Sequence, residues 1–237
     1  MVIYNILHLL NFIIKSLELQ GGLMTEGSIY KKIIKFAFPI FWGNLFQQLY
    51  NTVDSLIVGN FLGKEALAAI SSTGSLIFLL VGLVGGIFSG AGVVISRYFG
   101  AGDIKEVQRA IHTTICFGLI AGLTLTVLGS VLAPEILKLM GTPESVFPNA
   151  VLYVRIYFGG ILTIVMYNTA SGIFQAVGDS KRPLYFLIIS SITNVVLDLL
   201  FVVVFNMGIG GAAIATVIAQ AVSAFLAFRH LICTKDV

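Results

Sequence analysis

The feature that most constrains this chain is a series of apolar runs, each close to or longer than about 20 residues. Such a run can cross a lipid bilayer as an α-helix, whereas a transmembrane β-strand needs only about ten residues. The composition agrees, because 57% of the 237 residues are hydrophobic and 11% are charged, whereas soluble domains carry about 25% charged residues. So little charge cannot cover a water-exposed surface. We therefore predict an all-α, polytopic membrane protein.

Six of these runs are interpreted as membrane spans, separated by segments rich in turn-forming residues. The predicted spans are residues 33–58, 66–96, 110–133, 149–177, 184–206 and 211–230. Pro39 is placed near the start of the first span, where its missing N–H costs little. The segments GGIFSGAG and GLIAG place small residues four apart, which predicts helix-packing surfaces in the second and third spans.

Lysine and arginine residues are distributed unevenly between the two sets of loops, and cytoplasmic loops carry the excess. The richer set comprises Lys31, Lys32, Lys35, Arg97, Lys105, Arg109, Lys181, Arg182, Arg229 and Lys235. The opposite set holds Lys64 and Lys138, with Arg155 just inside the fourth span. We therefore expect a multi-pass protein of the cell (inner) membrane with both ends of the six-span unit in the cytoplasm. The net charge of +3 fits this orientation better than nucleic-acid binding, because the basic residues are not clustered with stacking aromatic residues.

Residues 1–27 are interpreted as an amino-terminal extension, and residues 28–237 as one six-helix domain. The extension is apolar but is interrupted by Asn11, Lys15 and Glu18, so it makes a poor span. It is either an amphipathic helix on the membrane surface or a translated leader with Met24 as the natural start. We favour the second interpretation.

Catalytic and metal-binding motifs do not emerge from the sequence. It contains no nucleophile elbow, phosphate-binding loop or HExxH pattern. Its two cysteines and three histidines lack metal-ligand spacing. We expect neither an enzyme nor a cofactor.

Two acidic residues, Asp54 and Asp198, lie well inside predicted spans. An aspartate at the bilayer centre costs about 2.5–3.5 kcal/mol, so each is expected to face protein or water. Polar residues at helical spacing accompany them on four spans. These are Asn44, Gln47, Gln48 and Asn51; Asn168, Ser171 and Gln175; Ser190, Ser191 and Asn194; and Thr216, Gln220 and Ser223. The stripes predict a hydrated interior shared by four helices.

The two aspartates lie at similar depths on two spans that run in the same direction, so they are predicted to converge. Carboxylate, amide and hydroxyl oxygens are hard donors that suit Na⁺ better than a soft metal. Burial disfavours the charged form of a carboxylate, and a second carboxylate couples the two titrations. Such a pair can hold a proton, hold Na⁺ or attract an organic cation, and competition between them is what antiport requires. Helix packing is the alternative role, favoured for Gln47, Gln48, Ser190, Ser191 and Ser223 and left open for Asn168 and Thr216.

Several segments resemble the multidrug and toxic compound extrusion (MATE) transporters. They are FPIFWGNLFQQLYNTVDSLIVGNFLGKEALAA at 38–69, SRYFGAGDIKEVQRA at 96–110, GIFQAVGDSKRP at 172–183, NVVLDLLFV at 194–202 and GIGGAAIATVIAQ at 208–220. The resemblance implies export of organic, cationic drugs or toxins by antiport with Na⁺ or H⁺. It implies an ion site at Asp54, Asn168, Asn194, Asp198 and Thr216, with Na⁺ at all of these except Asn168. A substrate cleft is assigned to Asn44, Gln47, Gln48, Asn51 and Gln175.

The family has twelve helices in two lobes, and this chain resembles the amino-terminal six-helix lobe alone. A second lobe, from another copy or a separate chain, is therefore an expected partner, as are small organic cations and membrane lipid. Two alternatives remain open. The chain is a non-transporting remnant or assembly module, or it is a lipid-linked oligosaccharide flippase of the wider superfamily. The acidic intramembrane charges disfavour the flippase, which needs a basic cleft for a pyrophosphate. The coupling ion and the range of substrates stay undetermined.

Overall fold

The computed structural model describes residues 28–233 and builds them from helices. The helices are α1 (Ile29–Phe61), α2 (Lys64–Gly100), α3 (Ile104–Leu139), α4 (Phe147–Gly159), α5 (Ile161–Ala176), α6 (Lys181–Asp198) and α7 (Gly208–Cys233). A π-helical segment, Leu199–Val204, continues α6. The interpretations of residues 1–27 fall outside the described residues.

The helices confirm the predicted all-α membrane class. In the described range, four are long and apolar enough to cross a membrane, or five if α4 and α5 form one span. The 33-residue α1 has the length but is not among them. Its stripe of amides and its aspartate lower its mean hydropathy. That α1 crosses the membrane therefore remains a prediction from the sequence.

The predicted fourth span is two helices, α4 and α5, bent by 48° at Gly160. The span predicted over 149–177 is thus a bent helix pair, a break that hydropathy did not predict. Gly160 is buried, and a Cβ there would overlap the side chain of Val217 on α7. The missing side chain lets the backbone of the bend approach α7 closely. The sequence alone does not show this approach, because a glycine inside a hydrophobic run can have many roles.

Pro39 lies inside α1 and not at its start, because the helix begins ten residues earlier at Ile29. The segment IYKKIIKFAF is basic but favours helix, so the helix extends beyond the apolar run that hydropathy detects. The turns carry the expected residues. Gly102 and Gly178, with φ of 72° and 89°, occupy the left-handed region that favours glycine. Asp103 caps α3 by accepting the Glu106 N–H at 3.2 Å.

Two hydrophobic clusters hold the helices together, one toward each end of the lobe. The first gathers Ile57, Ala69 and Leu137 with the start of α7. The second gathers Ile95, Val107, Phe174 and Leu231, where α2, α5 and α7 end and α3 begins. Of the richer loop set, Arg97, Lys105 and Arg229 lie on the helix ends that form the second cluster, so basic charge gathers at that end of the lobe.

Helices α5 and α7 form the centre of the lobe, since α5 packs on α2, α3 and α7, and α7 packs on α4, α5 and α6. Half of the membrane segment of α7 is buried, compared with 17% for α2 and for α3. The glycines of GLIAG pack as predicted, because Gly118 lies against Thr169 and Gly122 against Leu162. In the second span only part of the predicted surface packs: Gly92 meets α5, whereas Gly86 and Gly90 face open space.

Candidate ion-binding site

The carboxyl groups of Asp54 and Asp198 meet inside the lobe. Helix α1 packs on α6, and this brings Asp54 against the last residue of α6. The two side chains lie within hydrogen-bonding range of each other. Asp54 is 8% exposed and Asp198 is fully buried. Two acidic residues that are 144 positions apart in sequence thus share one buried place.

Acceptor oxygens at this place find no donor among the described residues. They are Oδ1 of Asp54, both carboxyl oxygens of Asp198 and Oδ1 of Asn194. Two carboxylates can hydrogen-bond to each other only when one of them carries a proton, because an ionised carboxylate only accepts. Buried acceptors without partners are costly. A proton or a small cation is what would satisfy them.

Asn194 and Thr216 complete the same region. Asn194 lies one helical turn before Asp198, on the same face of α6. Its Nδ2 donates to Thr216 Oγ1 at 3.4 Å, and Thr216 Oγ1 donates to the Ala212 carbonyl at 3.1 Å. This use of the amide nitrogen leaves the Asn194 oxygen as an acceptor. Four of the five predicted ion-site residues therefore cluster where α1, α6 and α7 meet.

Asn168, the fifth predicted ligand, lies in an adjoining polar cavity of about 130 Å³. Its Nδ2 donates to the Ile164 carbonyl at 2.8 Å within α5. The cavity is enclosed by α1, α5 and the start of α6, and three predicted cleft residues line it: Asn44, Gln47 and Gln175. The structure thus groups Asn168 with the predicted cleft rather than with the carboxyl pair.

The polar stripe of α1 divides into two faces. Gln47 and Asp54, seven residues apart, turn toward the lobe interior. Gln48 and Asn51 are exposed, and the Asn51 Nδ2 donates to Gln48 Oε1 at 3.3 Å. A helix turns about 100° per residue, so positions 48 and 51 lie on the neighbouring face. These two predicted cleft residues lie outside the cavity.

Tyrosine residues surround the carboxyl pair, and the sequence reasoning missed them. Gln220 Nε2 donates to the Tyr50 hydroxyl at 3.4 Å, and Tyr50 lies near Gln47 and near both aspartates. Tyr153 is 4% exposed, and its ring stacks on Tyr157 at 6.4 Å between centroids. Only the spacing of Tyr50, between Gln47 and Asp54 on the same face, could have indicated its role.

Buried serines near the site donate their hydroxyls to backbone carbonyls. Ser190 Oγ donates to the Ala219 carbonyl at 2.7 Å and ties α6 to α7. Ser191 and Ser223 donate to carbonyls of their own helices at 2.8 and 2.9 Å. Their hydroxyls are satisfied by protein, so they differ from the acceptor oxygens of the aspartates.

Comparison with known proteins identifies the family. The model of the MatE family matches residues 39–200. The chain is 36% identical over 213 residues to the probable multidrug resistance protein YpnP of Bacillus subtilis (strain 168), covering 89% of this chain and 47% of that protein. It is 35% identical over 199 residues to the probable multidrug resistance protein YoeA of the same organism, covering 82% and 43%. The chain spans about half the length of the curated relatives it matches.

A solved structure, the crystal structure of MATE in the bent conformation, matches with a TM-score of 0.84 and 27% identity. That match covers 95% of this chain and 48% of the other. Its coverage agrees with a single lobe of a longer architecture. The chain therefore belongs to the MatE family, whose members are membrane transporters and not enzymes.

Proposed function

We propose that this chain is one half of a cation-coupled antiporter that exports organic, cationic compounds. Asp54 and Asp198, with Asn194 and Thr216, bind the coupling ion, which is H⁺ or Na⁺. The observation that carries the proposal is the pair of facing carboxyl groups, buried and without donors in the described part of the chain. The names of the relatives, both probable multidrug resistance proteins, support drugs as the exported class.

Competition for negative charge supplies the coupling. A proton or Na⁺ at the pair neutralises it, and the attraction for an organic cation then falls. The adjoining cavity, lined by Asn44, Gln47, Asn168 and Gln175, is the candidate substrate position in this lobe. Tyr50 lies between the cavity and the carboxyl pair, because it is near Gln47 of the cavity and near both carboxyl groups. Release of the ion and capture of the substrate would thus alternate.

A second six-helix lobe, from another copy or a separate chain, is part of the proposal. Gln48 and Asn51 are exposed on α1 beside the large apolar side chains of Phe41 and Leu49. Polar side chains that face lipid are unfavourable, so this mixed surface fits a cleft between lobes better than a lipid boundary. The unequal charge of the two loop sets supports both ends of the six-helix unit on the cytoplasmic side of the cell membrane.

Vesicles with an imposed ion gradient test the proposal. The purified chain is reconstituted, and efflux of a fluorescent organic cation is recorded under a Na⁺ gradient and, separately, under a pH gradient. We expect efflux under one gradient, and its loss in Asp54→Asn and Asp198→Asn. Thr124→Val is the matched control, because Thr124 is exposed on α3, away from the carboxyl pair, and its hydroxyl donates to the Ile120 carbonyl.

The two parts of the proposal fail in different ways. If wild-type chain gives no efflux under either gradient, then transport by this chain paired with itself is refuted, and a separate second lobe is required. If Asp54→Asn and Asp198→Asn keep full ion-driven efflux, the ion role of the pair is refuted.

A further inference from the structure

We propose that the groove between α2 and α3 binds one acyl chain of an anionic phospholipid, with the lipid phosphate at Arg109. This groove lies on the hairpin that the carboxyl pair does not use. It encloses a cavity of about 400 Å³.

The groove has the length and walls of a binding site for a single chain. It runs from Tyr98 near the α2–α3 turn to Ile87, eleven residues further along α2, which is about 16 Å. Phe88, 3% exposed, forms its floor. Val94 and Phe117, each 49% exposed, form its rims. Ala91 and Ala110, which are small, leave the space between the helices open.

Polar groups along the groove do not interrupt its apolar character. Thr113 and Thr114 line it, but their hydroxyls donate to the carbonyls of Arg109 and Ala110 at 2.8 and 2.7 Å. Each hydroxyl is thereby satisfied within α3. The walls above the mouth therefore suit a hydrocarbon.

Charged groups lie only at the mouth of the groove. Arg109, whose side chain is 79% exposed, lies 3.6 Å from Glu106, which is 32% exposed. Arg97 and Lys105 flank the same turn and add basic charge. By the predicted orientation this end faces the cytoplasm, where anionic lipids attract basic residues next to the membrane. A phosphate is the group that Arg109 can bind with its remaining donors.

The dimensions favour an acyl chain over a helix of a second lobe. A volume of 400 Å³ spread over that length gives a mean cross-section of about 25 Å². A helix with its side chains is about 10–12 Å across, which is a cross-section of roughly 80–110 Å². A polar end followed by a narrow apolar channel along the helix axes is the shape of a phospholipid in one leaflet.

A photoactivatable lipid tests the inference. The full chain is placed in nanodiscs containing phosphatidylglycerol with a diazirine on one acyl chain, and adducts are mapped by mass spectrometry after illumination. We expect several-fold more adduct on residues 87–117 than around Val127 and Val131, which are exposed on α3 outside the groove. Ala91→Phe and Ala110→Phe fill the groove and should lower the adducts to that background. Val131→Phe is the matched control and should change nothing.

The head group is tested separately with an exposed residue whose replacement leaves the fold intact. Arg109→Gln should lower labelling by the phosphatidylglycerol probe several-fold and should change labelling by the matching phosphatidylcholine probe little. Helical circular dichroism and gel filtration show whether each variant is folded. Equal labelling inside and outside the groove would overturn the inference. Labelling of the groove that is unchanged in both Ala91→Phe and Ala110→Phe would overturn it as well. Adducts between two protein chains through residues 87–117 would overturn it in favour of a second lobe.

Discussion

The interior of the lobe and the α2–α3 hairpin differ in the kind of polar group that goes unpaired: in the interior these groups include carboxylate and amide oxygens, whereas on the described hairpin the unpaired buried group is the hydroxyl of Thr126. On the hairpin, Ser96 and Thr124 donate to carbonyls of their own helices at 2.9 and 2.8 Å. Where α1, α6 and α7 meet, both oxygens of Asp198 and one oxygen of Asp54 lack donors in the described chain. A hydroxyl can donate a hydrogen bond to a backbone carbonyl of its own helix. An ionised carboxylate can only accept, so it needs a donor or a cation.

This difference separates polar residues that serve packing from those that serve ion binding. The sequence stripes on α6 mix both kinds, since Ser190 and Ser191 are buried beside Asn194 and Asp198. Their hydrogen bonds distinguish them: the serines donate to carbonyls, and the acceptor oxygens remain open. In a membrane helix, a pair of buried carboxyl groups without donors is therefore a stronger indication of an ion site than polarity alone.

The largest expected effect is loss of ion binding when either carboxyl group is removed. A bound ion at 100 times its Kd stabilises a protein by about 2.7 kcal/mol. The coupling ion, Na⁺ or a lowered pH, should therefore raise the melting temperature of the purified chain. Asp54→Asn, Asp198→Asn and the double variant should all lose this increase, and the double variant should be no worse than either single one.

Thr124→Val on the hairpin is the control for that measurement, and it should keep the whole increase. Retention of the increase in either aspartate variant would contradict a shared site. A double variant with clearly additive loss would indicate two independent sites.

A second contrast concerns two glycines of the α2–α3 hairpin, Gly129 on the face of α3 that packs on α4 and Gly86 on the open face of α2. A Cβ at Gly129 would overlap the ring of Phe158, whereas a Cβ at Gly86 meets nothing within 4 Å. Gly129→Ala should therefore destabilise the lobe by about 1–3 kcal/mol through overpacking. Gly86→Ala should leave stability unchanged or slightly raised, since alanine favours helix. Thermal unfolding in detergent measures both, and equal melting temperatures for the two variants would refute the packing described for α3 and α4.

The smallest effects concern charged residues at the helix ends. Asp179 Oδ1 accepts the N–H groups of Lys181 and Arg182 at 3.1 and 3.2 Å, and its Oδ2 lies 3.1 Å from Arg182 Nε. Asp179→Ala should destabilise the lobe by about 1 kcal/mol, as loss of a helix cap does. Glu135 pairs with Lys138 at 3.3 Å, but both side chains are more than 60% exposed.

Glu135→Ala should consequently cost less than about 0.5 kcal/mol. The same thermal unfolding series compares the two substitutions. A larger loss for Glu135→Ala than for Asp179→Ala would contradict the capping role of Asp179.

Much of the helical order could be predicted from hydropathy, because each apolar run corresponds to a helix or a bent pair. The convergence of α1 and α6 could be anticipated from the equal depths of Asp54 and Asp198. The bend at Gly160 could not, because it depends on the contact with Val217, which lies 57 residues further along the chain. Pro39 was misplaced because hydropathy detects the lipid-crossing part of a helix and not its ends.

Only those residues of the site that are polar within an apolar span could be predicted from the sequence. Asn168 was predicted as an ion ligand, and its position in the cavity with Gln47 could not be predicted, since depth along a helix does not give the direction of a side chain. Tyr50 and Tyr153 were missed because tyrosine in an apolar run does not differ from other aromatic residues until neighbouring helices are in place.

The central claim is that Asp54 and Asp198 face each other inside one lobe, and a cysteine pair tests it most directly. The background carries Cys116→Ser and Cys233→Ser, with a protease site inserted at residues 142–146, between α3 and α4. The pair Asp54→Cys and Asp198→Cys is treated with Hg²⁺, which bridges nearby thiols, and the loop is then cleaved. The control pair is Thr52→Cys with Asp198→Cys, because Thr52 lies on the opposite face of α1. We predict that the two fragments stay joined for the first pair and separate for the control; separation of both pairs, or equal joining of both, would contradict the account.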